Sequence, residues 1–157
     1  MHVRHDIGVG AALPPGLWMT TDCQAMDDAA IARMLYRAHW PPAVGRRLAA
    51  ERLEGGLCFG LCLERQQIGF ARAAAAKAGL AVISDVVIAH AWRGAGIGSW
   101  FLTQILSHPA LLPTPRIAVV TATQQAFYGR LGFVAEPADA TQTLLIFHRP
   151  APHAPAP

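Results

Sequence analysis

Apolar residues recur along the chain in two rhythms. Ile31, Met34, Leu35 and Ala38 keep the i, i+3, i+4 spacing of a helix with one buried face, with Asp27 at the N-cap position and Pro41-Pro42 closing it. A second helix is expected after those prolines, through Val44, Leu48 and Leu53, to a stop at Gly55-Gly56. The rhythm then changes. Residues 57–63 and 67–74 are apolar runs joined by Glu64-Arg65-Gln66, which predicts an antiparallel hairpin. The alanines of 71–77 have helical propensity, so the strand reading of the second run rests on Ile68, Phe70 and Gly79. Residues 80–88, rich in Val and Ile and short for a helix, predict a strand, and 17–21, 116–121 and 143–147 predict shorter ones. Ile97, Phe101, Leu102 and Ile105 mark a helix over 97–107 that ends before Pro109, and 123–131 predicts a short helix with Gly132 past its end. Strands and helices in this mixture predict an α/β domain.

Composition narrows the picture. The 157 residues are 53% hydrophobic and 15% charged, a balance that gives one domain with a filled core. Residues 1–16 are expected to be a loose leader, 17–149 the folded domain and 150–157 a disordered Pro/Ala tail. The net charge of +3 is spread over the chain, and Arg46, Arg47 and Arg52 read as a solvated helix face, so nucleic acid is not an expected partner. No apolar stretch approaches bilayer length and no signal-like segment opens the chain, which makes a cytoplasmic location the expectation. Cys23, Cys58 and Cys62 are an odd set expected to be reduced thiols, and the seven histidines show no metal-ligand spacing, so no metal is expected.

Chemistry concentrates at Arg93-Gly94-Ala95-Gly96-Ile97-Gly98, between a predicted strand and a predicted helix. Glycines there let the backbone approach a bulky anion, and the free N–H groups of the helix's first turn carry partial positive charge, a combination suited to a diphosphate. The same letters would also serve as plain structural turn glycines. A Walker loop would end in Gly-Lys-Ser/Thr, whereas Gly98 is followed by Ser99 and Trp100. A dinucleotide fingerprint from Gly94 would need a glycine at 99 and would follow the first strand of the fold.

The run 93–98 resembles the Arg/Gln-x-x-Gly-x-Gly/Ala signature of GNAT acetyltransferases, and Tyr128-Gly129-Arg130-Leu131-Gly132-Phe133 resembles their Tyr-x-x-x-Gly-Phe element. The preceding strand, with Ser84 to Ile88, and the hairpin of Leu57 to Leu61 and Ile68 to Arg72 fit the family's order over roughly residues 17–148. The resemblance implies a mixed, mostly antiparallel central sheet flanked by helices, with a splayed strand pair that holds coenzyme A. It implies an N-acetyltransferase that passes acetyl from acetyl-CoA to a primary amine, favoured to be a small molecule, in a ternary complex. The alternative is a non-catalytic acyl-CoA-binding or regulatory module on the same fold.

By the same resemblance the backbone of Val86, Val87 and Ile88 pairs with the pantetheine arm, and Arg93, Gly94, Ala95, Gly96, Ile97, Gly98 and Ser99 hold the diphosphate. Tyr128 is the general acid. Many members carry an Asn where this chain has Thr121-Ala122-Thr123, and some a glutamate on the strand matching 116–121, which has none here. The base is then Asp85 or water, Asp85 being a carboxylate in an apolar strand that is costly to bury without a partner. Tyr36, His39, Trp40 and Phe59 correspond to positions that line the acceptor pocket. A homodimer is expected from the family's habit.

Overall fold

The computed structural model describes residues 12–38, 56–75, 78–136 and 142–150. The expected second helix, His39, Trp40, most of the leader and the tail beyond Pro150 lie outside the described residues. The elements run β1 (Leu17–Thr20), α1 (Asp28–Arg37), β2 (Leu57–Leu63), β3 (Gln66–Ala75), β4 (Leu80–Ile88), α2 (Ile97–Leu106), β5 (Arg116–Thr121), α3 (Gln125–Arg130), β6 (Val134–Glu136) and β7 (Thr143–His148), with single 3-10 turns at Cys23–Ala25 and His90–Trp92. The strands form one seven-stranded sheet in the order β1-β2-β3-β4-β5-β7-β6. Every neighbouring pair is antiparallel except β4 and β5, which are parallel.

Among the described residues the two faces of the sheet bury different helices. On one side Ile97, Phe101, Leu102, Ile105 and Leu106 of α2 pack with Phe59, Leu61, Ile68, Ala71, Ala73, Ile83, Ile117 and Val119. On the other side Ile31, Met34 and Leu35 of α1 pack with Cys58, Phe70 and Val87. The two faces alternate along β2, with Phe59 and Leu61 towards α2 and Cys58 towards α1, as a period of two requires. Helix α1 starts where Asp27 accepts a hydrogen bond from the Ala30 N–H at 3.0 Å. The Asp27 N–H donates to Gln67 Oε1 at 2.6 Å, which ties the helix entry to β3. The alanine-rich end of β3 is extended despite its helical propensity, because Ala71 and Ala73 are buried between two strands and tertiary packing outweighs a preference of about half a kcal/mol per residue.

Two departures from sequence expectation have local causes. Helix α3 is shorter than 123–131, because Thr121 Oγ1 accepts from the N–H groups of Thr123 at 3.3 Å and Gln124 at 3.0 Å and holds them in a turn ahead of the helix. Its C-terminal side is as expected, with Gly132 at φ +92 and the Phe133 N–H donating to the Tyr128 carbonyl at 3.2 Å. Strand β6 follows at once and was not anticipated, since Val134 and Ala135 are exposed and leave no buried alternation to read.

The parallel ladder of β4 and β5 is short. It joins Leu80 with Arg116, Ala81 with Ile117 and Val82 with Ala118, and stops there. Above it β5 stays paired with β7 through Thr121, and β4 with β3 through Ile88. A wedge therefore opens in the middle of the sheet, edged by the upper halves of β4 and β5.

Candidate functional site

The wedge is edged by backbone that a sheet would normally pair. Val86 and Ile88 lean on the α2-side core, and Val87 is buried on the α1 side. Beyond Ile88 the chain turns through His90–Trp92, and Arg93 reaches back to donate from Nε to the Ile88 carbonyl at 2.9 Å, which fixes the start of the glycine turn to the end of β4.

Gly94 and Gly96 have φ of +82 and +77, the left-handed region that costs a residue with a Cβ about 1–2 kcal/mol. A Cβ placed on either would meet nothing within 4 Å, so these glycines shape the backbone and leave clear space in front of it. Gly96 is the N-cap of α2 and offers no side chain, and no acidic residue stands in the first turn. The amides of Ile97, Gly98 and Ser99 precede the first intrahelical bond, which the Trp100 N–H makes to the Gly96 carbonyl at 3.0 Å. Three N–H groups without a side-chain cap, at the positive end of a ten-residue helix, thus directly follow glycines with open space beside them.

Helix α3 closes the site from the β5 side. The Phe127 ring comes within 3.5 Å of where a Cβ of Gly98 would stand, with Ile88 at 3.8 Å, so Gly98 seats the first turn of α2 between α3 and β4. Phe127 was missed from sequence, and only the tertiary approach of α3 to α2 reveals it. Tyr128, the next residue, is 8% exposed, with its ring edge-on to Phe127 at 5.1 Å and to Phe133 at 5.5 Å. Burial raises its phenol pKa above the ordinary value of 10.0, so the hydroxyl keeps its proton throughout the neutral range.

The other expected site residues fall elsewhere. Asp85 is buried with φ +56, its carboxylate 3.9 Å from Arg72 Nε and 3.4 Å from the Ser84 hydroxyl, which donates to it. Arg72 is a second residue missed from sequence, since its approach to Asp85 depends on the strand register, which sets it opposite Ser84. Phe59 is fully buried, with His108 edge-on at 5.3 Å, and so forms part of the packing beneath the sheet. Tyr36 is 57% exposed on α1.

A wedge of unpaired strand edges beside a helix N-terminus without a side-chain cap has the form suited to an extended, amide-bearing ligand that ends in a diphosphate. The family profile of the acetyltransferase (GNAT) domain matches residues 54–135, more than half of the chain. A GNAT-family protein from Xanthomonas campestris pv. campestris has a similar structure, with a TM-score of 0.64 at 27% identity over 78% of this chain and 87% of that one. The PaiA N-acetyltransferase of Thermoplasma acidophilum, solved in complex with coenzyme A, gives 0.66 at 13% identity over 85% and 99%. A GNAT-family protein from Desulfovibrio desulfuricans gives 0.67 at 19% identity over 83% and 95%. Among curated proteins none matches in sequence. The chain belongs to the GNAT family of acetyltransferases.

Members of this family use acetyl-CoA, and the residues present fit it. The open ground before Gly94 and Gly96 with the α2 amides suits the diphosphate, and the free strand edges of the wedge suit the amide-bearing arm. No helix among the described residues is long and apolar enough to cross a membrane.

Proposed function

We propose that the chain transfers the acetyl group of acetyl-CoA to a primary amine by direct attack within a ternary complex. Acetyl-CoA supplies an activated carbonyl on a thiol leaving group. The backbone of Val86, Val87 and Ile88 pairs with the pantetheine arm as an added strand would, and an N–H on this edge steadies the negative charge that develops on the carbonyl oxygen. The turn from Arg93 to Ser99 holds the diphosphate. The amine loses its proton to water, the C–N bond forms as the C–S bond breaks, and Tyr128 delivers the proton of its hydroxyl to the departing sulfur.

The observation that carries this reading is the wedge between β4 and β5 opening beside the left-handed glycines and uncapped amides of α2. Two finer points belong to the same proposal. The acceptor is a small amine rather than a polycation, because the carboxylate nearest the wedge on β4, Asp85, already faces Arg72. The protein works as a homodimer, which sedimentation at micromolar concentration would test, a monomer mass counting against it.

Replacement of Gly96 by Glu tests the cofactor site. The side chain would demand a strained φ of +77 and place a carboxylate in the anion's space, so acetyl-CoA binding measured by calorimetry should disappear in a folded variant. Affinity equal to wild type would overturn the assignment.

A further inference from the structure

We infer that Asp85 and Arg72 are a positioning pair that holds β4 in the bulged form on which the wedge depends, and that Asp85 is not the base. The inference rests on the proposed function, whose acetyl-CoA site borders this bulge. The register carries it. Below the bulge β3 and β4 pair as Arg72 with Ser84 and Ala73 with Ile83, and above it as Phe70 with Val87 and Gly69 with Ile88. Ala71 alone therefore stands opposite two residues, Asp85 and Val86.

A bulge bends its strand and increases the local twist, and β4 loses β5 just below this one, after Val82. The first bulge residue takes a left-handed conformation, φ +56, which Asp adopts more readily than most residues with a Cβ. The bulge also decides where the carboxylate points. Ile83 packs in the α2-side core, so plain alternation would aim residue 85 at the same core. The extra residue turns it instead towards Arg72, 3.9 Å away.

Removing the bulge would slip the upper half of β4 by one residue and exchange the faces of Val86, Val87 and Ile88. It would also aim the Asp85 carboxylate at the α2-side core to which Ile83 belongs, which an ionised group resists strongly. The carboxylate thus tolerates the bulged conformation, has a partner only there, and blocks the flat alternative. An alanine would do the reverse on every count.

Three variants separate this role from that of a base, each assayed for acetyl-CoA affinity by calorimetry and for turnover across pH. Asp85→Asn keeps a polar side chain that accepts the left-handed conformation and cannot enter the apolar core. It should bind acetyl-CoA within about threefold of wild type and keep the shape of the acidic limb of the pH profile. Asp85→Gly accepts the conformation but does not block the slip, and should bind less well. Asp85→Ala favours the flat strand and should bind on the order of tenfold more weakly. Wild-type affinity in Asp85→Ala would overturn the inference. So would an Asp85→Asn variant with intact affinity whose turnover falls 100-fold and whose acidic limb is lost, since the charge would then be the working part. Failure of the wild-type chain to bind acetyl-CoA would count against the proposed function itself, and amide hydrogen exchange at Val86 to Ile88, expected to be altered in Asp85→Ala and retained in Asp85→Asn, would still judge the bulge.

Discussion

At the scale of single residues, burial acts in the same direction on two kinds of titratable group, a phenol and a thiol, holding the proton on each. For Tyr128 it raises the pKa, which keeps a proton on the hydroxyl proposed as the general acid. Tyr128→Phe retains the edge-on contacts with Phe127 and Phe133 and removes only the hydroxyl. Acetyl-CoA affinity should be preserved while turnover falls about 100-fold, the usual scale for losing a general acid. Unchanged turnover, with chemistry shown to limit the rate, would mean that water or the substrate protonates the sulfur. For Cys62 burial pushes the thiol up to about 11, and Cys58 is buried as well, whereas Cys23 is partly exposed. A thiolate is the reactive form, so at pH 8 a thiol reagent should modify one cysteine of the native protein quickly and the other two only on unfolding. Rapid modification of all three would contradict this placement.

Among the elements, α2 depends on a residue far away in sequence. Its last turn and the following loop leave carbonyls that Arg149, just beyond β7, collects: Nη2 donates to Leu106 at 2.9 Å and Leu111 at 3.4 Å, and Nε to Thr114 at 3.3 Å. The guanidinium also lies 5.8 Å from the centre of the Phe147 ring. Arg149→Met keeps the aliphatic stem and drops these charge-assisted bonds, so urea unfolding should show a loss of about 2 kcal/mol. Acetyl-CoA affinity should persist, because the N-terminal end of α2 is held separately by Gly98 against Phe127. A variant as stable as wild type would mean that water replaces the bonds at no cost. What could be read in the sequence divides along a physical line here. Helix α1 and strands β2 to β4 were legible because each buries a continuous apolar pattern, and the glycine turn because left-handed backbone calls for a specific residue type. The bulge at Asp85 was not, since one extra residue inside an apolar strand leaves the letters unchanged and appears only in the register against β3. Asp85 therefore reads as a base in the sequence and faces Arg72 in the fold.

For the whole molecule, the sheet does two jobs with one irregularity. Six antiparallel or parallel junctions hold seven strands together, and only the parallel one opens, so the cleft is built into the middle of the core and needs no separate domain. The α2-side core backs both walls, through Val86 and Ile88 of β4 and Ile117 and Val119 of β5, and the α1-side core adds Val87 of β4. Such a cleft could hold acetyl-CoA without using it, and a non-catalytic binding module would share every feature except turnover. The decisive measurement is release of free CoA thiol from acetyl-CoA by the purified chain against a panel of small amines, amino acids, peptides and proteins. The account predicts that at least one small amine raises release well above the slow hydrolysis seen without acceptor, with a stoichiometric acetylated amine as the other product, and that Tyr128→Phe lowers that rate about 100-fold. Binding of acetyl-CoA with no acceptor-dependent release from any member of the panel would contradict it.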